Sequence, residues 1–558
     1  MADSPVPAWV QRRLAASVRT FSVTARNPSL LRAQLAFAAT WTAEAAFTVA
    51  IGVVAFRDGG AEAVGLVAFV RTAPSALLAP VGTAFADRFS RDRVLVWSCL
   101  VRAGSTGASA IVLGAGGPKL AVYGLAVVST AAFRLFRPAH SALLPGLCNT
   151  PLELSSANVV RGLLDSLSTL LGPLAAALLL ALSGPVAVFV TAAASALTSA
   201  LLLLRLSYER PPRGSPQPLR RIIHETVEGF RALARYRDAG LLIGLAMVQA
   251  LTQGFLYVFV VVLALEQLGM GAPGVGLLTA ALGAGAVAGS LAASMFVTGR
   301  HLAILEGLGV ILWGVPLTLS GALPHEPVVL GLMCVIGIGN AFVDIGLHTL
   351  PARLVPEALL ARVFGAKASL TAFSIAIGSF ITPLVIDALG VRGALIALGL
   401  VAPTVAALAW QRLLRIDAAI AHRDREIEVL NSISMFRPLP MPAIDELALH
   451  LDRIDFPAGE DVVAQGEPGD RFYVIEAGEA EVIGDGRLIR TLRSGEAFGE
   501  IALLHDILRT TTVRARTPLR LYTLDRHHFV SAVSGYESSE READALALDR
   551  LEAFNPAH

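Results

Sequence analysis

Residues Gly495–Ala515 read GEAFGEIALLHDILRTTTVRA, and their interpretation decides the C-terminal fold. Gly499 permits a tight, left-handed turn. Glu500, Ile501, Ala502 and Leu503 then open a helix, whose first N–H groups lack intrahelical partners and suit an anion. Arg509 can reach the same anion with a planar, bidentate fork. Thr510 and Thr511 follow it with two more hydroxyls. A carboxylate such as Glu500 repels a bound phosphate, so the ligand must also offer a hydroxyl donor, such as a ribose 2′-OH. Phosphate and ribose hydroxyl in one small pocket describe a compact nucleotide.

The stretch resembles the phosphate-binding cassette of cyclic nucleotide-binding domains, F-G-E-x-A-L followed by R-x-A-T-V. Here the pattern stands as Phe498, Gly499, Glu500, Ala502, Leu503, Arg509, Thr512 and Val513. Upstream, Phe456, Gly459, Gly466, Gly469, Asp470, Phe472, Tyr473, Val474, Ile475 and Gly478 continue it. Thr511 stands where the family usually has Ala, and Leu508 where eukaryotic relatives often have Pro; neither change removes a ligand group. The resemblance implies a regulatory ligand, cAMP or cGMP, and no other cofactor. Thr510 is compatible with either nucleotide, and cAMP is favoured.

The rest of the chain is different material. Over 558 residues, apolar residues make up 54% and charged residues 16%, and the mean hydropathy is +0.63. A soluble chain of this length would be about 25% charged, so the expected partner of most of it is a lipid bilayer. The net charge of +1 implies no nucleic-acid partner. Cys99, Cys148 and Cys334 form no CxxC and support neither a disulfide framework nor a zinc site. No nucleophile–base constellation is present, so an enzyme is not expected.

Apolar runs of membrane-crossing length recur at 33–56, 62–86, 94–114, 120–143, 158–181 and 185–206. They resume at 241–265, 273–298, 302–323, 327–350, 364–389 and 391–413. The expected fold is therefore an all-α polytopic domain of twelve transmembrane helices, six plus six, followed by a small jelly-roll-like β-roll with flanking helices. The corresponding divisions are a basic N-terminal segment 1–32, two membrane halves 33–206 and 241–414, and a central loop 207–240. A helical linker 415–440 and a nucleotide-binding domain 441–558 complete the chain. Arg clusters in the N-terminal tail, at 88–93, in the central loop and at 353–367 alternate with loops that carry only Arg57, Lys119 and Arg392. The positive-inside rule then places both termini in the cytoplasm of a multi-pass cell-membrane protein.

Two halves around a basic central loop resemble the major facilitator superfamily. Gly82, Asp87, Arg88, Arg91 and Arg93 stand where that family carries G-x-x-x-D-R-x-G-R-R, with the Gly one position early and Ser90 in place of the second Gly. The resemblance implies that Asp87, Arg88 and Arg91 clamp neighbouring helix ends as a conformational gate. Phe136, Pro138, Ala142, Leu143, Leu144, Pro145 and Asn158 resemble the branch of drug and siderophore exporters. Gly172-Pro173 matches the antiporter motif only in part, because Ala176-Ala177 follow where a Gly pair is expected.

A charge at mid-membrane is costly and wants a reason. Glu44, Arg71 and Arg102 fall roughly eight to eleven residues into the first three runs, which brings them to similar depth at about 1.5 Å rise per residue. Arg134 lies well inside the fourth. These four are the candidates for transport and coupling. Glu44 is either a proton or cation carrier in a polar cavity, or one half of a structural ion pair. The expected function is a secondary transporter of an unknown small molecule, an exporter by branch, with the proton as a candidate coupling ion and a cyclic nucleotide as regulator. The rival is a membrane-anchored nucleotide receptor on a non-transporting fold. A nucleotide-gated channel is disfavoured: there is no TVGYG-like filter and no Arg at every third residue.

Overall fold

The computed structural model describes residues 24–88, 90–204, 206, 219–293 and 301–554. Most of the basic N-terminal segment, most of the Pro- and Arg-rich part of the central loop, and the end of the run at 273–298 lie outside the described residues. The chain folds as two compact units, Met1–Leu414 and Arg415–His558.

The first unit is helical. In order come α1 (Pro28–Arg88), α2 (Arg91–Gly114), α3 (Lys119–Leu147), α4 (Pro151–Leu182) and α5 (Pro185–Leu203). Then follow α6 (Leu219–Arg235), α7 (Arg237–Val262, extended by a π turn to Gln267), α8 (Gly271–Ala293) and α9 (Leu302–Ala322). The set closes with α10 (Glu326–Leu354), α11 (Glu357–Gly399) and α12 (Val401–Ser432), the last running past the unit boundary. Among the described residues, 10 helices are long and apolar enough to cross a membrane. Two of them are interrupted. Gly59 and Gly60 leave helical geometry inside α1, and Gly390, at φ +70°, does so inside α11. Gly60, at φ +60°, and Gly390 take a positive φ that glycine adopts at little cost and a bulkier residue would resist.

Small residues let the helices approach closely, as expected where lipid supplies no hydrophobic drive between them. A Cβ on Gly172 of α4 would lie 2.5 Å from the Thr42 carbonyl oxygen of α1, and one on Gly254 of α7 would lie 2.3 Å from the Ile375 carbonyl oxygen of α11. Both halves share one apolar core, in which Val64 and Val67 of α1 join Phe255 and Val261 of α7 and Leu395 of α11. Around the start of α1, the first half has its own core, which includes Leu30, Phe37, Leu95, Phe136 and Leu143. Arg137 and Asp344 are exposed, yet Arg137 and Asp165 of the first half act electrostatically on Asp344 of the second.

The second unit begins within α12 and continues through a 3-10 turn (Ser434–Phe436) and α13 (Met441–Leu449) into eight strands. These are β1 (Asp452–Phe456), β2 (Asp461–Val463), β3 (Arg471–Ala477), β4 (Ala480–Gly484), β5 (Arg487–Leu492), β6 (Ala497–Phe498), β7 (Thr512–Ala515) and β8 (Leu519–Asp525). They form two four-stranded antiparallel sheets, β1-β8-β3-β6 and β2-β7-β4-β5. Val463, Ile475, Leu492, Phe498, Val513 and Leu521 fill the roll. A short α14 (Glu500–Leu504) sits between β6 and β7, and α15 (Arg526–Ser534) and α16 (Glu537–Phe554) follow β8. Phe436, Phe472 and Phe529 join the flanking helices to the outer face of the roll. Asp525 caps α15, accepting from the His528 N–H at 3.0 Å. In the sequence, Ser539 with Glu542 has the spacing of a capping box that would open the last helix. The helix has already begun at Glu537, and the buried Ser539 hydroxyl donates to the Met435 carbonyl oxygen at 2.5 Å. A tertiary acceptor took the hydroxyl from the local one.

Candidate functional site

The cassette is built on one turn. Gly499 has φ +97° and ψ −2°, the left-handed turn expected for it. That turn ends β6 and opens α14, so Glu500 begins the helix with 1% of its surface exposed. Arg509 comes from the segment before β7 and is 5% exposed. Its Nη1 donates to the Gly499 carbonyl oxygen at 3.0 Å and its Nη2 to the Arg471 carbonyl oxygen at 2.8 Å. Asp470 Oδ1 lies 3.6 Å from the same Nη2, and the guanidinium carbon stands 5.8 Å from the Tyr473 ring centroid. Its Nε is buried and has no hydrogen-bond partner. Burial pulls Arg509 below the usual guanidinium range, while Tyr473, Asp470, Glu500 and Glu467 oppose that shift. The result is a fixed cation beside a glycine turn and a buried carboxylate.

Backbone pairing locates the arginine. The Arg509 N–H donates to the Glu467 carbonyl oxygen at 2.7 Å, and the Gly466 N–H donates to the Arg509 carbonyl oxygen at 2.9 Å. Gly469 gives room, because a Cβ there would meet Ala502 Cβ at 2.7 Å and the Arg509 guanidinium carbon at 3.5 Å. Ile501, Thr510 and Thr511 are half-buried, and Ala502 is buried. Gly499, Glu500 and Arg509 thus meet at one turn.

The membrane candidates also meet. Glu44 Oε2 accepts from Arg102 Nη2 at 2.8 Å, and Glu44 Oε1 accepts from Arg71 Nη2 at 3.2 Å. Arg71 Nε also donates to Thr130 Oγ1 at 3.1 Å. Arg102 lies over Phe133, with 4.8 Å between guanidinium carbon and ring centroid. Both arginines and the carboxylate are buried. Arg134 stands apart and exposed; it and Arg71 act electrostatically on Tyr257 of α7, in the other half. Of the gate residues, Arg91 donates to the Ala142 carbonyl oxygen of α3, a helix-end contact to backbone rather than to an acid. The side chains of Asp87 and Arg88 lie outside the described residues. Asp165, given no transport role from the sequence, accepts from Arg137 Nη2 at 3.0 Å.

Tyr257, Arg137, Lys367 and Glu306 were missed in the sequence. A Glu in the apolar run 302–323 was the available signal for Glu306.

With these sites described, comparison with known families assigns the chain. Residues 34–366 match the Major Facilitator Superfamily, and residues 453–536 match the cyclic nucleotide-binding domain. The chain belongs to the Major Facilitator Superfamily and carries a C-terminal cyclic nucleotide-binding domain. That domain is similar to the cAMP-dependent protein kinase regulatory subunit of Emericella nidulans, 33% identical over 139 residues, which is 25% of this chain and 34% of that protein. The same subunit of Schizosaccharomyces pombe is 38% identical over 105 residues, 19% of this chain and 24% of that protein. A cGMP-dependent protein kinase of Caenorhabditis elegans is 43% identical over 72 residues, 13% of this chain and 9% of that protein. The chain spans about a third or less of the length of these curated relatives.

Proposed function

We propose that this protein is a secondary active transporter, an exporter of a small molecule, whose activity is set by a cyclic nucleotide bound to its C-terminal unit. The kinks at Gly59-Gly60 and Gly390 each divide a long helix into two spans, which supports twelve crossings in two halves of six. With the arginine-rich loops inside, both termini are cytoplasmic, where cyclic nucleotides signal. Transport is a rocking of the halves about the cleft between them. Arg134 of the first half acts electrostatically on Tyr257 of the second, and two arginines hold Glu44.

One observation carries the regulatory half of the proposal: Arg509, 5% exposed, is aimed at the Gly499 turn that presents Glu500. A guanidinium there fits a cyclic phosphate, and the carboxylate fits a ribose 2′-hydroxyl. cAMP is the favoured ligand, supported by the naming of two of the relatives. Titration calorimetry on the full-length protein in nanodiscs, with cAMP and cGMP, tests the site. Heat with neither nucleotide sinks it. Flux measured in proteoliposomes with and without nucleotide tests the coupling. If nucleotide binds but no gradient-driven flux is found across a substrate panel, the alternative gains: a membrane-anchored receptor on a transporter fold.

A further inference from the structure

Helix α6 links the two membrane halves and is apolar on two sides. Gly229 and Ala232 are buried, and a Cβ on Gly229 would meet Ala366 Cβ of α11 at 3.1 Å. Glu228 fixes this contact by pairing with Arg362 Nη1 of α11 at 2.5 Å. Further round the helix, Val227 and Phe230 are each 40% exposed. Phe230 walls a cavity of about 480 Å³, whose other sides come from α7, α11 and α12. That volume is within the range of about 300–1,000 Å³ usual for small-ligand sites.

The lining has two chemistries. Arg237, the first residue of α7, and Arg412 of α12 both line the cavity and are exposed. Arg412 donates from Nε and Nη2 to Asp238 Oδ1 at 3.0 and 2.8 Å. Among the described residues no acid pairs with Arg237. Two guanidinium groups against one carboxylate leave this end positive. The rest of the lining is apolar, and it reaches Met247, about 15 Å further along α7 at 1.5 Å rise per residue. Arg237 stands just before the apolar run at 241–265, and Arg412 at the end of the run at 391–413. Both cations therefore sit where membrane-crossing helices end, at the level of lipid headgroups, and the apolar lining extends into the span.

We propose that this cavity holds an anionic phospholipid of the surrounding bilayer, with its phosphate at Arg237 and Arg412 and an acyl chain along Gly244 and Met247. Guanidinium forks suit a phosphodiester, and basic pockets between helix ends hold lipid headgroups in this way. A soluble phosphate would use only the guanidinium end and leave the apolar recess unfilled. A zwitterionic lipid would bring its own ammonium to an end that is already positive. The bound lipid touches α6, α7, α11 and α12, so it braces the central-loop helix on the second half. The inference rests on the membrane-spanning reading, and on neither transport nor nucleotide binding.

The test uses the full-length protein, delipidated in detergent micelles, with native mass spectrometry to measure retained lipid. Palmitoyl-oleoyl phosphatidylglycerol is the probe, and phosphatidylcholine with the same chains is the control. Wild type should retain the phosphatidylglycerol about tenfold better, the scale of one hydrogen bond to a charged group. Arg237→Gln combined with Arg412→Gln should lose that preference. Arg231→Gln, which removes the same charge from an exposed position outside the cavity, should keep it. Gly244→Leu is an independent arm. A Cβ there meets nothing within 4 Å, so the new side chain fits without displacing a neighbour and takes cavity space. It should cut lipid retention with both arginines in place. If the double variant fails to fold, Gly244→Leu and the single Arg237→Gln decide. Equal retention of the two lipids overturns the proposal, as does wild-type retention by Gly244→Leu or by the arginine variants. Loss of the preference in Arg231→Gln overturns it too, because the basic surface at large would then attract the lipid. Inorganic phosphate that displaces the lipid would mark a free-anion site and overturn the lipid assignment. None of these outcomes bears on flux or on nucleotide binding, so the function proposed above stands or falls separately.

Discussion

The Arg509 guanidinium donates to the carbonyl oxygen of Gly499 at 3.0 Å, and a Cβ on Gly499 would sit 2.7 Å from that same Nη1. The buried cation and the left-handed turn are thus one device. The arginine is held at the point where the turn directs the first N–H groups of α14, and only a residue without a side chain allows it to come so near.

Arg509→Ala should weaken cyclic-nucleotide binding by about 1.5–3 kcal/mol, the scale of hydrogen bonds to a charged group. It should also lower stability, because two buried carbonyl oxygens, those of Gly499 and Arg471, lose their donor. Calorimetry gives the first effect and a thermal melt the second. Unchanged affinity would remove Arg509 from the site.

Gly499→Ala carries two penalties. Its φ of +97° is disfavoured for an L-residue, at about 1–2 kcal/mol. The new methyl would also push on the Arg509 guanidinium. We expect a loss of affinity at least as large as the loss of stability. A variant that binds normally would show that the arginine can move without consequence.

Glu44→Gln removes the carboxylate between two buried guanidinium groups. Leaving buried charge unpaired costs about 3–5 kcal/mol, so the variant should lose thermal stability, and Glu44→Gln with Arg102→Met should recover part of it. Stability unchanged by Glu44→Gln, together with abolished transport, would instead mark Glu44 as the proton carrier.

Thr510 follows Arg509 and is half-buried. Under the proposed binding mode its hydroxyl would meet either a phosphate oxygen or a guanine amino group. We expect cAMP to displace cGMP in competition, and Thr510→Ala to change the ratio of the two affinities less than tenfold, about 1.4 kcal/mol. A clear preference for cGMP that Thr510→Ala abolishes would reverse the assignment.

Helix α12 runs unbroken through Val401–Ser432, and a stiff connector transmits motion where a flexible coil mainly sets reach. Inserting Gly-Gly-Ser-Gly between Ala418 and Ala419 should leave nucleotide affinity intact and abolish the effect of nucleotide on transport. Allosteric coupling of about 1–3 kcal/mol would move wild-type rates or affinities roughly five- to hundredfold. An insert that responds as wild type does would show that the signal takes another route.

The sequence alone determined what depends on near neighbours. Gly499, Glu500 and Arg509 lie within eleven consecutive residues, so the turn, the helix start and the cation were legible together. Apolar run length announced the membrane helices, and Gly59-Gly60 fell where the first two runs were separated. The levels of Glu44, Arg71 and Arg102 followed from helical rise alone. Only the tertiary structure decided which groups satisfy which. Glu44 found two donors on different turns and helices. Ser539 gave its hydroxyl to Met435, 104 positions away in the chain. Glu306 was left with none, because the wall it meets is Gly346. A buried polar group's state is set by the atoms that replace its water, and those come from segments whose approach no local pattern encodes.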